Sequence, residues 1–171
     1  MKDITHSEVQ VVMQNLLRER VSVRDLQTIL ETISTFSRAN KEPEYLTEQC
    51  RMALSRSICK QNMTDAGDLL AITLSPDVEN VIAAGMSAGG SNLSLDPNFT
   101  RMMIDNLNLE IEKALTQTGN QPVILCSSPI RASFRRLIER TYPQISVLSY
   151  NEIPPNVSAR SVGVVRAHAM S

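Results

Sequence analysis

At Asp68 the spacing of the apolar residues changes, and that change decides the class of fold. Upstream, hydrophobic side chains recur every three or four residues; from Leu69 the chain reads Leu69-Leu70-Ala71-Ile72-Thr73-Leu74, a continuous run stopped by Ser75-Pro76. A surface helix needs only a stripe of apolar residues, whereas a strand covered on both faces needs an unbroken run. The expected class is therefore α+β: a helical subdomain over residues 1–64, an α/β subdomain over 65–166 and a tail over 167–171.

Three helices are expected in the first subdomain. Thr5 and Glu8 form a capping-box pair ahead of Val9, Val12, Met13, Leu16 and Leu17, the stripe of an amphipathic helix. Ser22 and Asp25 give a second start signal before Leu26, Ile29, Leu30 and Ile33. Pro43 suits a first helical turn, and Leu46, Cys50, Ala53, Leu54 and Ile58 carry the helical period on to about Asn62.

The second subdomain alternates strands and helices. After the strand at Leu69–Leu74, a short helix is expected over Asp77–Met86 and a mobile loop over Ser87–Asn92, where Gly89-Gly90 supplies the freedom. Asp96-Pro97 opens a long helix with Met103, Leu107, Ile111, Ala114 and Leu115 on one face, closed by Gly119 as a left-handed cap. Strands are expected at Pro122–Cys126 and Ile145–Leu148 with a helix between them. A last one at Ser161–Val165 would lie at an edge, because Pro154 and Pro155 cannot donate ladder bonds. Together they predict a small mixed sheet of about four strands with helices packed on it.

Charge and cysteine content exclude several functions. Lys and Arg number 17 against 18 Asp and Glu, and dividing the sequence after Thr64 gives +1 and −2, so neither part has the cationic excess of a nucleic-acid-binding surface. A helix-turn-helix reading of the first subdomain would present Arg24, Asp25, Gln27, Thr28 and Glu31 to DNA, a poor match to phosphate. Cys50, Cys59 and Cys126 have no paired spacing and the two histidines stand near the ends, which argues against a disulfide framework, a zinc cluster or a hydrolase triad. No cofactor is expected. No stretch reaches the roughly 20 apolar residues of a membrane span.

One segment has the look of a binding site. Cys126-Ser127-Ser128-Pro129 leaves a strand and enters a helix bearing Arg131, Arg135, Arg136 and Arg140, so free amides and guanidinium groups could hold an anion. This is the alternative function, a small α/β nucleotide- or phosphate-binding domain. The competing explanation makes Ser128 the cap and Pro129 the first helical residue. Phe134, Leu137 and Ile138 then form the buried stripe, and the arginines a wet face able to dock on an acidic protein surface.

Two long stretches, LLRERVSVRDLQTILETI from Leu16 to Ile33 and CSSPIRASFRRLIERTYPQISVLSYNEIPP from Cys126 to Pro155, resemble the large export-gate protein of bacterial type III secretion, a family shared by virulence injectisomes and the flagellum. TLSPDVE (Thr73–Glu79) and LSLDPNF (Leu93–Phe99) fall in the order that family has them, and the VLSYNEIPP ending is more similar to an injectisome member. The resemblance implies the last two cytosolic subdomains of a protein whose upstream half sits in the inner membrane, so this chain would be excised from a longer one and lie on the cytoplasmic face without touching the membrane. It implies a non-enzymatic role. Copies assemble into a ring, typically a nonamer, which receives secretion chaperone–substrate complexes, export regulators and other export-apparatus components. On that reading Arg18, Arg20, Arg24 and Glu31 are the expected ring contacts, since alternating charge can match a neighbour's face. Arg131, Arg135 and Arg136 are the expected partner-docking residues, with the Gly89-Gly90 loop beside them.

Overall fold

In the computed structural model the described residues are 5–86 and 93–167. The chain divides into two compact units, Met1–Gln61 and Asn62–Ser171.

The first unit is helical. Helix α1 (His6–Arg18) starts at the expected capping box: the Thr5 hydroxyl accepts from the Glu8 amide, and Thr5 N–H donates to the Glu8 carboxylate at 3.0 Å. Val12 and Leu16 are its buried residues. It ends in a Schellman turn, with Arg20 N–H bonded to Leu17 O and Val21 N–H bonded to Leu16 O, both at 2.9 Å. The residue that must turn left-handed there is Arg20, at φ 61°. A side chain in that conformation costs about 1 kcal/mol that glycine avoids. Arg20→Gly should therefore raise the unfolding free energy by no more than about 0.5 kcal/mol once glycine's extra unfolded-state entropy is subtracted, measurable by urea denaturation.

Helix α2 (Leu26–Phe36) is capped by the Asp25 carboxylate, which accepts from the Thr28 amide at 3.2 Å. Helix α3 (Pro43–Ala53) buries Leu46, Thr47, Cys50 and Arg51. The single helix expected from Pro43 to Asn62 is corrected here: it breaks at Leu54, whose amide is shared between Cys50 O and Arg51 O, and resumes as α4 (Ser55–Asn62). The shared bond tightens the last turn of α3, a common way for a helix to stop, and it leaves four helices among the described residues of this unit where three were expected.

The second unit holds strands β1 (Asp68–Leu74), β2 (Val123–Cys126), β3 (Val147–Ser149) and β4 (Ser158–Val165). Their order is β3-β2-β1-β4 and every neighbouring pair is parallel, so the mixed sheet expected from sequence is corrected to an all-parallel one. The misleading segment is residues 150–157. It is too short for a crossover helix, which suggests a hairpin, yet it carries the chain from β3 past β2 and β1 to the far edge through one 3₁₀ turn, Tyr150–Glu152. β4 does lie at an edge.

Helices α5 (Pro76–Gly85), α6 (Pro97–Thr118) and α7 (Ser128–Ile138) pack with the sheet. Ile72, Leu74, Ile124, Cys126, Val147 and Val165 from the strands share one core with Val78 and Ile82 of α5, Met103, Leu107 and Ile111 of α6, and Ile130, Phe134 and Ile138 of α7. Helix α6 has the expected ends: the Asp96 carboxylate accepts from Asn98 N–H at 2.7 Å, and Gly119 is left-handed at φ 71°. Leu115, expected on its buried face, is 43% exposed. Helix α6 comes close to β4 at Gly163, where a Cβ would collide with the Glu110 side chain.

Candidate functional site

The anion-site hypothesis rests on free amides where α7 begins. Ser127, not Ser128, is the N-cap residue, and its N–H donates at 3.1 Å to the carboxylate of Glu79 on α5. The Ser128 hydroxyl accepts from the Asn151 side-chain amide at 3.2 Å. A carboxylate thus already takes the N-cap amide of this turn, and an anion entering beside it would meet like charge. The same charge reaches Tyr150: burial first, then the neighbouring Glu79, raises its phenol above the usual tyrosine range.

The arginines of α7 are not one wet face. Arg131 and Arg135, expected among the partner-docking residues, are buried. Arg131 donates from Nη1 to Val147 O at 3.0 Å, and its Nε lies 3.7 Å from the Glu152 carboxylate. That carboxylate also accepts from Ser149 N–H at 2.9 Å. Arg135 donates from Nη1 to Ile145 O at 3.0 Å and Tyr142 O at 3.2 Å, and from Nη2 to Pro143 O at 3.1 Å. Both side chains donate to carbonyls of edge strand β3 and of the turn leading into it, and so tie α7 to that edge. The signal available in sequence was Tyr142-Pro143 itself, a tight turn in which proline removes one local donor. Arg136 is exposed on the outer side of α7 and reaches Ser133 Oγ at 3.4 Å.

Arg18, Arg20, Arg24 and Glu31 all lie on the surface of the first unit. Glu31 accepts from the Gln27 side-chain amide at 2.9 Å, a hydrogen bond along the outer face of α2. What sequence reading missed is the apolar pair beside it. Leu26 and Leu30, expected in the buried stripe, are 45% and 39% exposed, while Ile29, Thr32 and Ile33 turn inward. Thr32 can be buried because its hydroxyl donates to Thr28 O at 2.7 Å within the same helix. Four apolar residues at i, i+3, i+4 and i+7 span more of the helix than α3 covers, and Thr32 is the member that polarity alone would have placed outside. Leu17 of α1 is likewise exposed.

No group of His, Cys, Asp or Glu among the described residues is arranged to hold a metal ion, and no helix among them is long and apolar enough to cross a membrane. The Gly89-Gly90 loop and His168 lie outside the described residues. Cys50, Cys59 and Cys126 are free thiols and buried. Burial pushes the Cys50 thiol up to about 11, and its S–H points to Ile29 O at 3.8 Å. At pH 8 all three should resist a thiol-reactive dye in the folded protein and label fully in denaturant; fast labelling of Cys50 in the native state would contradict this packing.

The FHIPEP family profile matches residues 1–158. The flagellar biosynthesis protein FlhA of Bacillus subtilis is 36% identical over 160 residues, covering 92% of this chain and 24% of that protein. The chain therefore spans about a quarter of the length of this curated relative. Among solved structures, the nonameric EscV cytosolic domain from the type III secretion system matches with a TM-score of 0.74 and 31% identity, over 93% of this chain and 47% of that one. CdsV of Chlamydia pneumoniae, solved in complex with CdsO, matches with a TM-score of 0.83 and 27% identity, over 95% of this chain and 48% of that one. Flagellar and secretion-system proteins both stand among the relatives.

Proposed function

The chain belongs to the FHIPEP family, and from that premise we propose that it is a non-enzymatic part of the cytosolic portion of a type III export gate, which joins copies of itself in a ring and receives export partners. The observation that carries this reading is the match over nearly the whole chain to the EscV cytosolic domain, a nonamer. Residues 1–64 and 65–166 act as the last two subdomains of that portion, at the cytoplasmic face of the inner membrane, in an injectisome as the Val147–Pro155 stretch suggests.

Ring contact falls to the first subdomain. Leu26 and Leu30 form an apolar centre and Arg18, Arg20, Arg24 and Glu31 a charged surround, the usual division of a protein interface. A ring needs two different faces that meet head to tail, so these residues are one half of the contact. The docking side lies on the second subdomain, with Arg136 as the accessible cation of α7. Its partners are chaperone–substrate complexes, export regulators and a CdsO-like export-apparatus component, the last by analogy with CdsV. The Glu79 carboxylate at Ser127 supports this reading over a phosphate-binding one. In cells making the full-length protein, Leu26→Asp with Leu30→Asp should abolish secretion at unchanged protein level. Wild-type secretion would refute the assignment.

A further inference from the structure

Helix α6 turns Met103, Leu107, Ile111 and Ala114 into the core. Its opposite face carries Met102, Asp105, Leu109, Glu112 and Thr116, all exposed, with Met102 at 43% and Leu109 at 53%. Their spacing of three, four, three and four residues is the 3.5-residue period of a helix–helix seam. Met102 and Leu109, continued by Thr116, occupy one seam position, and the two carboxylates occupy the other. Asp105 and Glu112 have no ion-pair partner among the described residues; Glu112 accepts only a side-chain amide, that of Asn108, at 3.4 Å. Arg101, bonded to Asn98, and Lys113, paired with Glu110, flank the row without neutralising it. The two carboxylates also raise the phenol of Tyr142, after burial, so their field is felt on this side of the helix.

We propose that the outer face of α6 is a docking site for a cationic amphipathic helix of a partner protein. Its apolar residues would sit on Met102 and Leu109, and its Lys or Arg side chains would meet Asp105 and Glu112. Two observations choose this occupant. The seam period fits a straight α-helix laid alongside at a shallow angle. The unpaired carboxylates in the seam disfavour an acidic or purely apolar partner, because burial would strand both charges. The inference goes beyond the ring reading and does not depend on it, since it concerns the second unit alone.

The test uses the isotope-labelled chain and a synthetic helical peptide of about three heptads with Leu at every a and Lys at every d position, together with a twin carrying Glu for Lys. The Lys peptide should bind and shift the amide resonances of residues 98–116, while the Glu twin should not. Met102→Gln with Leu109→Gln should weaken the Lys peptide by about tenfold or more, and Asp105→Lys with Glu112→Lys should exchange the preference between the two peptides. Asp105→Asn with Glu112→Gln, which keeps side-chain volume, should weaken binding and flatten its salt dependence. Equal binding of both peptides, shifts centred on another element, or indifference of well-folded variants would overturn the proposal.

Discussion

Replacing Arg131 with Met should cost the second unit about 3–5 kcal/mol of stability, the usual penalty for stranding one member of a buried ion pair. The guanidinium is fully buried, it donates to Val147 O on edge strand β3, and it faces a Glu152 carboxylate that is 1% exposed. Removing it leaves a negative charge in the interior and takes a donor from a buried carbonyl. The neighbouring Arg136 sets the control: on the exposed side of the same helix, Arg136→Ala should change stability by no more than about 0.5 kcal/mol. Adding Glu152→Leu to Arg131→Met should recover much of the loss, because an apolar pair of similar size can replace a buried salt bridge at little net cost. Urea unfolding followed by circular dichroism reads all four proteins. A loss under about 1 kcal/mol in the single variant, or no recovery in the double, would mean that Arg131 is not held as described.

The same arginine shows where sequence reasoning reaches and where it stops. Elements carried by local chemistry were legible: the Thr5–Glu8 capping box, the Asp25 and Asp96 caps, the Gly119 turn and the apolar run of β1 are set by residues a few positions apart. What failed depended on distant partners. Arg131 and Arg135 look like surface charge until the carbonyls of Val147, Ile145, Pro143 and Tyr142 are brought against α7. The parallel arrangement of β4 depends on the path of residues 150–157 past β2 and β1, which no local residue pattern specifies. Leu26 and Leu30 have the hydrophobicity and spacing of core residues, and only the packing of α3 against α2 decides which of the α2 residues are covered. The surface position of Arg18, Arg20, Arg24 and Glu31, the charges proposed for the ring contact, was legible, but the exposure of Leu26 and Leu30 was not.

That exposed pair supplies the second large effect. A Leu pair moving from roughly 40% exposure into a contact loses water from a modest area in each copy, but a closed ring repeats the gain at every joint, and one Asp per Leu turns each joint into a buried, unpaired charge. Because both residues face outward in the single chain, Leu26→Asp with Leu30→Asp should leave the fold of the first unit intact, within about 1 kcal/mol, while preventing assembly altogether. The salt dependence should be secondary, since the charged surround tunes register and rate more than affinity.

The most direct measurement is the mass in solution, by sedimentation velocity, of the chain extended to the full length of the EscV cytosolic domain, with and without those two substitutions. The extended wild-type protein should sediment as a closed ring of many copies, and the Leu26→Asp, Leu30→Asp protein as a folded monomer with the same circular dichroism. A ring formed equally well by the substituted protein, or a wild-type protein that stays monomeric at every concentration, would contradict the account.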